Sequence, residues 1–132
     1  MEYNIAIIGE QASGKTTCVR LLKGLHIEKR YFKTFSASPH PMDILKDTVI
    51  TVWDMPSENY EKYMEKMHGV IYITKKPSHP VVELTIPHVV VDNRGYRMNR
   101  DSLLKAYGNL CNIITKGEYL AYIRQSRASV AS

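Results

Sequence analysis

Cysteine is scarce in this chain. Cys18 and Cys111 are its only two, and neither stands in a Cys-x-x-Cys pair or beside histidines at zinc spacing. That usage speaks against a disulfide framework and fits structural thiols in a reducing cytosolic or nuclear setting. The five histidines, His26, His40, His68, His79 and His88, show no i, i+4 pairing of the kind that builds a metal site. Long apolar runs are missing too. None approaches a membrane span, and Glu2 and Asn4 interrupt the opening residues, where a signal peptide needs a basic, apolar and then small succession. The chain is expected to stay in the compartment where it is made. Nor is there a block of one charge: the net charge is +5, but the basic residues are spread from Arg20 to Arg127. Anionic partners are favoured, and nucleotide phosphate suffices as one. A nucleic-acid role is disfavoured, because no aromatic platform accompanies the basic residues.

What is present is an ordinary globular composition, 44% hydrophobic and 23% charged over 132 residues, which fits one domain (1–132) with a modest core. Asn4-Ile5-Ala6-Ile7-Ile8, closed by Gly9, reads as a strand buried on both faces of a parallel sheet. Thr16 to Lys23 carries Cys18, Val19, Leu21 and Leu22 at helical spacing, with Gly24 at a helix end. Tyr31 to Pro41 reads as an exposed loop and Asp43 to Leu45 as a short edge strand. Thr48 to Trp53 is a stronger strand leading to Asp54. A helix is predicted from Ser57 to Met67, its Tyr60, Tyr63, Met64 and Met67 facing the core. Val70 to Thr74 and His88 to Asp92 read as buried strands, separated by a turn at Lys75 to Pro80. Arg100 to Tyr107 reads as helix, Leu110 to Ile114 as a last strand, and Glu118 to Arg127 as a helix with Leu120, Ile123 and Ala121 inward. The alternation predicts an α/β fold, a three-layer sandwich around a mainly parallel sheet.

The chemistry concentrates in Gly9-Glu10-Gln11-Ala12-Ser13-Gly14-Lys15-Thr16, which satisfies G-x-x-x-x-G-K-[ST] between a predicted buried strand and a helix. There, successive backbone N–H groups and a helix N-terminus converge on an anion. Gly9 and Gly14 let the backbone curl, Lys15 reaches the β- and γ-phosphates, and Thr16 offers its hydroxyl to Mg²⁺. Asp54 closes a neighbouring apolar strand and supplies a carboxylate for the magnesium shell.

At Gly14-Lys15-Thr16-Thr17-Cys18-Val19-Arg20, and again at Val52-Trp53-Asp54-Met55-Pro56-Ser57-Glu58, the chain resembles the Ras-superfamily small GTPases, most of all their Ran branch. Lys29-Arg30-Tyr31-Phe32-Lys33-Thr34 and His40-Pro41 resemble the branch's first switch loop and the stretch after it. The resemblance implies a Ras-like P-loop sandwich binding GTP or GDP with Mg²⁺, ATP remaining open, in which Thr16, Thr34 and Asp54 serve the metal. It also implies Glu10, Gln11, Ala12, Ser13 and Thr17 around the phosphates, and Asn93, Arg94 and Lys116 near the base. Lys15, Thr34 and Glu58 would carry the chemistry. Several positions depart from the pattern. Ser57 stands for the glycine of D-x-x-G and keeps its N–H but not its backbone freedom, while Glu58, in place of the glutamine that orients water, and Gln11, in place of a P-loop glycine, point to slow hydrolysis. Asn-Lys-x-Asp is matched by Asn93-Arg94-Gly95-Tyr96, in which Tyr96 lacks the carboxylate that selects guanine, and Lys116 is met only in Ile114-Thr115-Lys116. The span between the strands at Val70 and Val89 is too short for a full crossover helix, so one helix is expected missing or reduced.

The expected function is a slow, magnesium-dependent small GTPase with switch loops, in the cytoplasm or nucleus and without a lipid anchor. The alternative is a non-hydrolysing pseudo-GTPase that occupies the partners of Ran-like GTPases, such as nuclear-transport receptors or GTPase regulators. A small P-loop phosphotransferase using Arg94, Arg97 and Arg100 to clamp a second phosphate is a third reading.

Overall fold

A computed structural model describes residues 2–9, 14–23, 37–45, 47–56, 60–75, 86–93 and 98–131, without the side chains of 44, 45 and 125–131. Five strands form one mixed sheet: β1 (Glu2–Gly9), β2 (Ser38–Leu45), β3 (Thr48–Asp54), β4 (Gly69–Thr74) and β5 (His88–Asp92). The order is β2-β3-β1-β4-β5, with β1 parallel to both β3 and β4, β5 parallel to β4, and β2 alone antiparallel. This α/β fold with a mostly parallel sheet is the coarse architecture expected from the alternation of apolar runs. The carboxyl ends of β1, β3, β4 and β5 share one edge, so Gly9, Asp54, Thr74 and Asp92 emerge side by side.

β1 is central because it is apolar on both sides: Ile5, Ala6, Ile7 and Ile8 have no exposed surface. Strand side chains alternate between faces. Ile5 and Ile7 therefore enter one core with Cys18, Val19, Leu21 and Leu22 of α1 (Lys15–Leu22) and Leu103, Tyr107, Leu110 and Cys111 of α2 (Arg100–Ile114). Ala6 and Ile8 enter a second core with Met55, Met67, Val70 and Tyr72, lined by Tyr60, Tyr63 and Met64. Those last residues belong to a 3₁₀ helix, Tyr60–Lys66, where the sequence suggested an α-helix from Ser57 to Met67. The stripe faces the core as expected, because Tyr60 with Tyr63, and Met64 with Met67, are i, i+3 pairs that a 3₁₀ turn stacks equally well. Ser57 lies outside the described residues.

Other expectations are corrected. Leu110 to Ile114 is the end of α2 and not a strand: with Leu103 and Tyr107 these apolar residues continue one helical face, which a five-residue window cannot distinguish from a strand. The loop assigned to Tyr31–Pro41 ends sooner, since β2 begins at Ser38. Pro39 and Pro41 fit there because alternate N–H groups of an edge strand point away from its partner. β5 is not fully buried but an edge strand: Val89 and Val91 pack inward while Val90 is 47% exposed. In α3 (Glu118–Ala131), Leu120 and Ala121 are exposed, and Tyr119 and Tyr122 turn inward instead. Tyr119 fixes that phase by an edge-on contact with Tyr107, while its N–H donates to the Thr115 hydroxyl at 3.0 Å. Gly24, the turn from 76 to 80 and the connection where a crossover helix was expected to be reduced (76–85) lie outside the described residues.

Candidate phosphate and metal site

The site grows from the end of β1. Gly9 is buried, and Gly14, at φ 108, is in the left-handed region open to glycine as the chain enters α1. Among the described residues no side chain caps α1, and its first turn carries no acid of its own, so its first N–H groups and the positive end of the helix dipole are open to an anion. Lys15 is 6% exposed and its Nζ donates to the Gly9 carbonyl at 3.1 Å, drawing together the two ends of the motif. Thr17 is half-buried on the same turn.

β3 brings Asp54 beside this turn because it pairs in parallel with β1, Ile7 opposite Asp54. The Thr16 hydroxyl donates to Asp54 Oδ2 at 2.7 Å. Asp54 is 5% exposed, and its other oxygen, Oδ1, is buried with no hydrogen-bond partner among the described residues. Burial raises the Asp54 carboxyl above the ordinary aspartate value, with the Thr16 hydrogen bond, Lys15 and His40 opposing. A hydroxyl and an orphaned carboxylate oxygen side by side are hard oxygen donors. They suit Mg²⁺, which is commonly held by one or two carboxylates plus substrate phosphates. Among the described residues no group of three or more His, Cys, Asp or Glu forms a metal cage.

Asn93 follows β5 and is 3% exposed. Its N–H donates to Thr74 O at 2.7 Å, and its Oδ1 accepts the Met98 N–H at 3.1 Å. Its Nδ2 lies 2.6 Å from where a Cβ on Gly14 would stand, so the amide is packed directly on Gly14. Lys116 is elsewhere. It ends α2, and that end packs on Gly69, where a Cβ would come within 3.2 Å of Leu110 and 3.3 Å of Ile114. Gly69 opens β4, so Lys116 stands at the amino-terminal edge of the sheet, opposite the edge where β1 ends at Gly9, and the structure separates it from Asn93. Its φ of 54 and the Gly117 N–H to Asn112 carbonyl bond of 2.9 Å mark it as a helix terminator. Arg100, a suggested phosphate clamp, donates through Nε to the Leu21 carbonyl at 3.0 Å, near the end of α1. Glu10, Gln11, Ala12, Ser13, Thr34, Glu58, Arg94, Tyr96 and Arg97 lie outside the described residues.

One cluster near the site was not legible as such. Lys23 Nζ lies 2.7 Å from His40 Nδ1 and Ser38 Oγ 3.3 Å from His40 Nε2, joining the end of α1 to β2. Burial and then Lys23 lower the His40 imidazole, against a raising influence of Asp54. Nothing in the local sequence announces this contact. Both cysteines are free and buried, and burial raises each, Cys111 to about 12, so neither supplies a thiolate.

No family model matches the chain, and no curated protein does either. The phosphate-loop pattern and the geometry around it therefore carry the functional argument.

Proposed function

We propose that this chain is a P-loop protein of small-GTPase type that binds a nucleoside triphosphate with Mg²⁺ and hydrolyses it slowly. The observation that carries the reading is the Thr16–Asp54 pair, with Asp54 Oδ1 buried and unpartnered among the described residues, beside the amino-terminal turn of α1. A buried polar oxygen without a partner costs about 1–3 kcal/mol even in a neutral group, and more in a carboxylate. A cation shell satisfies it.

The chain's own groups divide the task. The backbone N–H groups at the start of α1 bind phosphate oxygens, and Lys15, anchored across the loop by Gly9, adds the charge that a polyphosphate requires. Thr16 and Asp54 would hold Mg²⁺, which when bound supplies neutralisation of phosphate charge. The order β2-β3-β1-β4-β5 sets β1, whose next strands lie on one side, beside β4, whose next strand lies on the other, which agrees with ligands binding at the carboxyl edge of an open α/β sheet where the strand order reverses. Nuclear-transport receptors and GTPase regulators are the partners to test first, on the resemblance at residues 14–20 and 52–58.

The test is magnesium-dependent phosphate release from GTP and ATP by purified protein beside a Lys15→Ala control. Release above that control, abolished by chelating the metal, is the expected result. Equal release by the two proteins sinks the enzymatic part of the reading.

A further inference from the structure

We infer that β5 is an interface strand: two copies of this chain join edge to edge through β5, antiparallel and centred on Val90, into one continuous sheet. The inference does not rest on nucleotide binding.

An edge strand presents a row of N–H and C=O groups that recruits another strand unless proline, lysine or a bulge blocks it. The two edges of this sheet differ in that respect. β2 carries Pro39 and Pro41, with a register shift between Pro41 and Asp43. β5 pairs with β4 without a shift, and His88-Val89-Val90-Val91-Asp92 contains neither proline nor lysine. Among the described residues no strand lies beyond it. The Val70 N–H donates to the Pro87 carbonyl at 3.0 Å and the Asn93 N–H to the Thr74 carbonyl at 2.7 Å, which fixes the odd-numbered residues as those whose backbone turns toward β4. The backbone groups of His88, Val90 and Asp92 therefore turn outward. Their side chains are exposed as well, Val90 at 47%.

The strand is complementary to itself. With Val90 opposite Val90 of a second copy, His88 stands opposite Asp92 of that copy and Asp92 opposite its His88. Every outward-turned residue then meets another, which is the condition for antiparallel exchange of N–H to O=C bonds. An imidazole faces a carboxylate twice and valine faces valine, both favourable cross-strand pairs. Parallel pairing in register would instead set Asp92 on Asp92 and His88 on His88. The antiparallel contact closes on a two-fold axis, and the prolines of β2 keep the opposite edge from adding further copies.

The experiment is sedimentation velocity of the full chain without nucleotide, over about 5–500 µM and at about pH 6, where imidazoles readily carry charge. A five-residue edge contact is smaller than a standard interface, so a monomer–dimer equilibrium with a dissociation constant on the order of 10–100 µM is the expected result. Val90→Lys, which sets an ammonium against its own copy at the centre, should weaken association at least about tenfold. His88→Asp and Asp92→His should each weaken it about tenfold, and the double variant, which restores the opposite pair with its sense reversed, should return to within about threefold of wild type. Thermal unfolding of each variant shows that it is folded. A chain that is monomeric at about 500 µM, or a dimer that Val90→Lys leaves unchanged, overturns the inference. A double variant no tighter than the single ones overturns the antiparallel register. Dimerisation without triphosphate binding would refute the proposed function alone, and triphosphate binding by a strictly monomeric chain would refute this inference alone.

Discussion

Replacing Asp54 by asparagine should make the unliganded protein more stable and the liganded protein less so. In wild type a carboxylate that is 5% exposed keeps one oxygen unpaired while the other accepts from Thr16. An unpaired buried polar atom costs about 1–3 kcal/mol, and more when it bears charge. The asparagine oxygen can still accept the Thr16 hydroxyl, and the remaining penalty is that of a neutral amide N–H. A net gain of about 1 kcal/mol follows, which for a domain of this size is roughly 3–6 °C in Tm. Because burial raises the Asp54 carboxyl, the folded chain keeps its proton where the unfolded chain has released it. The stability this contributes is full below the ordinary aspartate value and is lost as pH rises through the raised native value. The variant's advantage should therefore open across that window and vanish below it. With magnesium and triphosphate at a hundred times Kd, wild type should gain about 2.7 kcal/mol, and Asp54→Asn far less, having lost the charge that attracts the cation. Thermal unfolding by circular dichroism across pH, with and without ligand, reads all of this. An unliganded Asp54→Asn less stable than wild type at neutral pH, or an undiminished ligand shift in it, would refute the reasoning.

Gly14→Ala should destabilise the fold by about 1–3 kcal/mol in urea unfolding, because φ 108 is strained for alanine and its Cβ would stand 2.6 Å from Asn93 Nδ2. A cost indistinguishable from zero contradicts the packing of Asn93 on the loop. The His40 imidazole, lowered by burial and Lys23, should titrate by NMR below the ordinary histidine value. Its contribution to stability is present above the unfolded value and lost as pH falls through the lowered native one; a normal or raised midpoint counts against the Lys23 contact. Lys116→Ala should leave triphosphate affinity within about twofold of wild type, since the residue lies at the far edge of the sheet. A tenfold loss would bring Lys116 back to the base site.

The parts of the site that were legible in the sequence are contiguous. Gly9, Gly14, Lys15 and Thr16 lie on one strand, loop and helix, so their proximity follows from chain connectivity and secondary structure alone. Asp54 was legible because an apolar run ending in a carboxylate marks where a buried strand emerges at the sheet edge. The position of Lys116 was not, because it depends on the direction of α2, and the residues that decide this, Leu110 to Ile114, are a short apolar run equally compatible with a strand. The work of Asn93 was hidden for another reason. Its type suits a base contact, and only the tertiary approach of Gly14 and Met98 shows the amide already engaged. β2 was underestimated because two prolines read as a loop until its edge position makes them harmless.

The central claim is that Gly9 to Thr16, with Asp54, holds a polyphosphate and Mg²⁺. Equilibrium dialysis of magnesium–GTP against wild type and Lys15→Ala tests it most directly. A dissociation constant of about 10 µM or tighter in wild type, weakened at least about tenfold by Lys15→Ala and by removing the metal, is the predicted result. No retention of nucleotide by wild type, or equal retention by the two proteins, would contradict it.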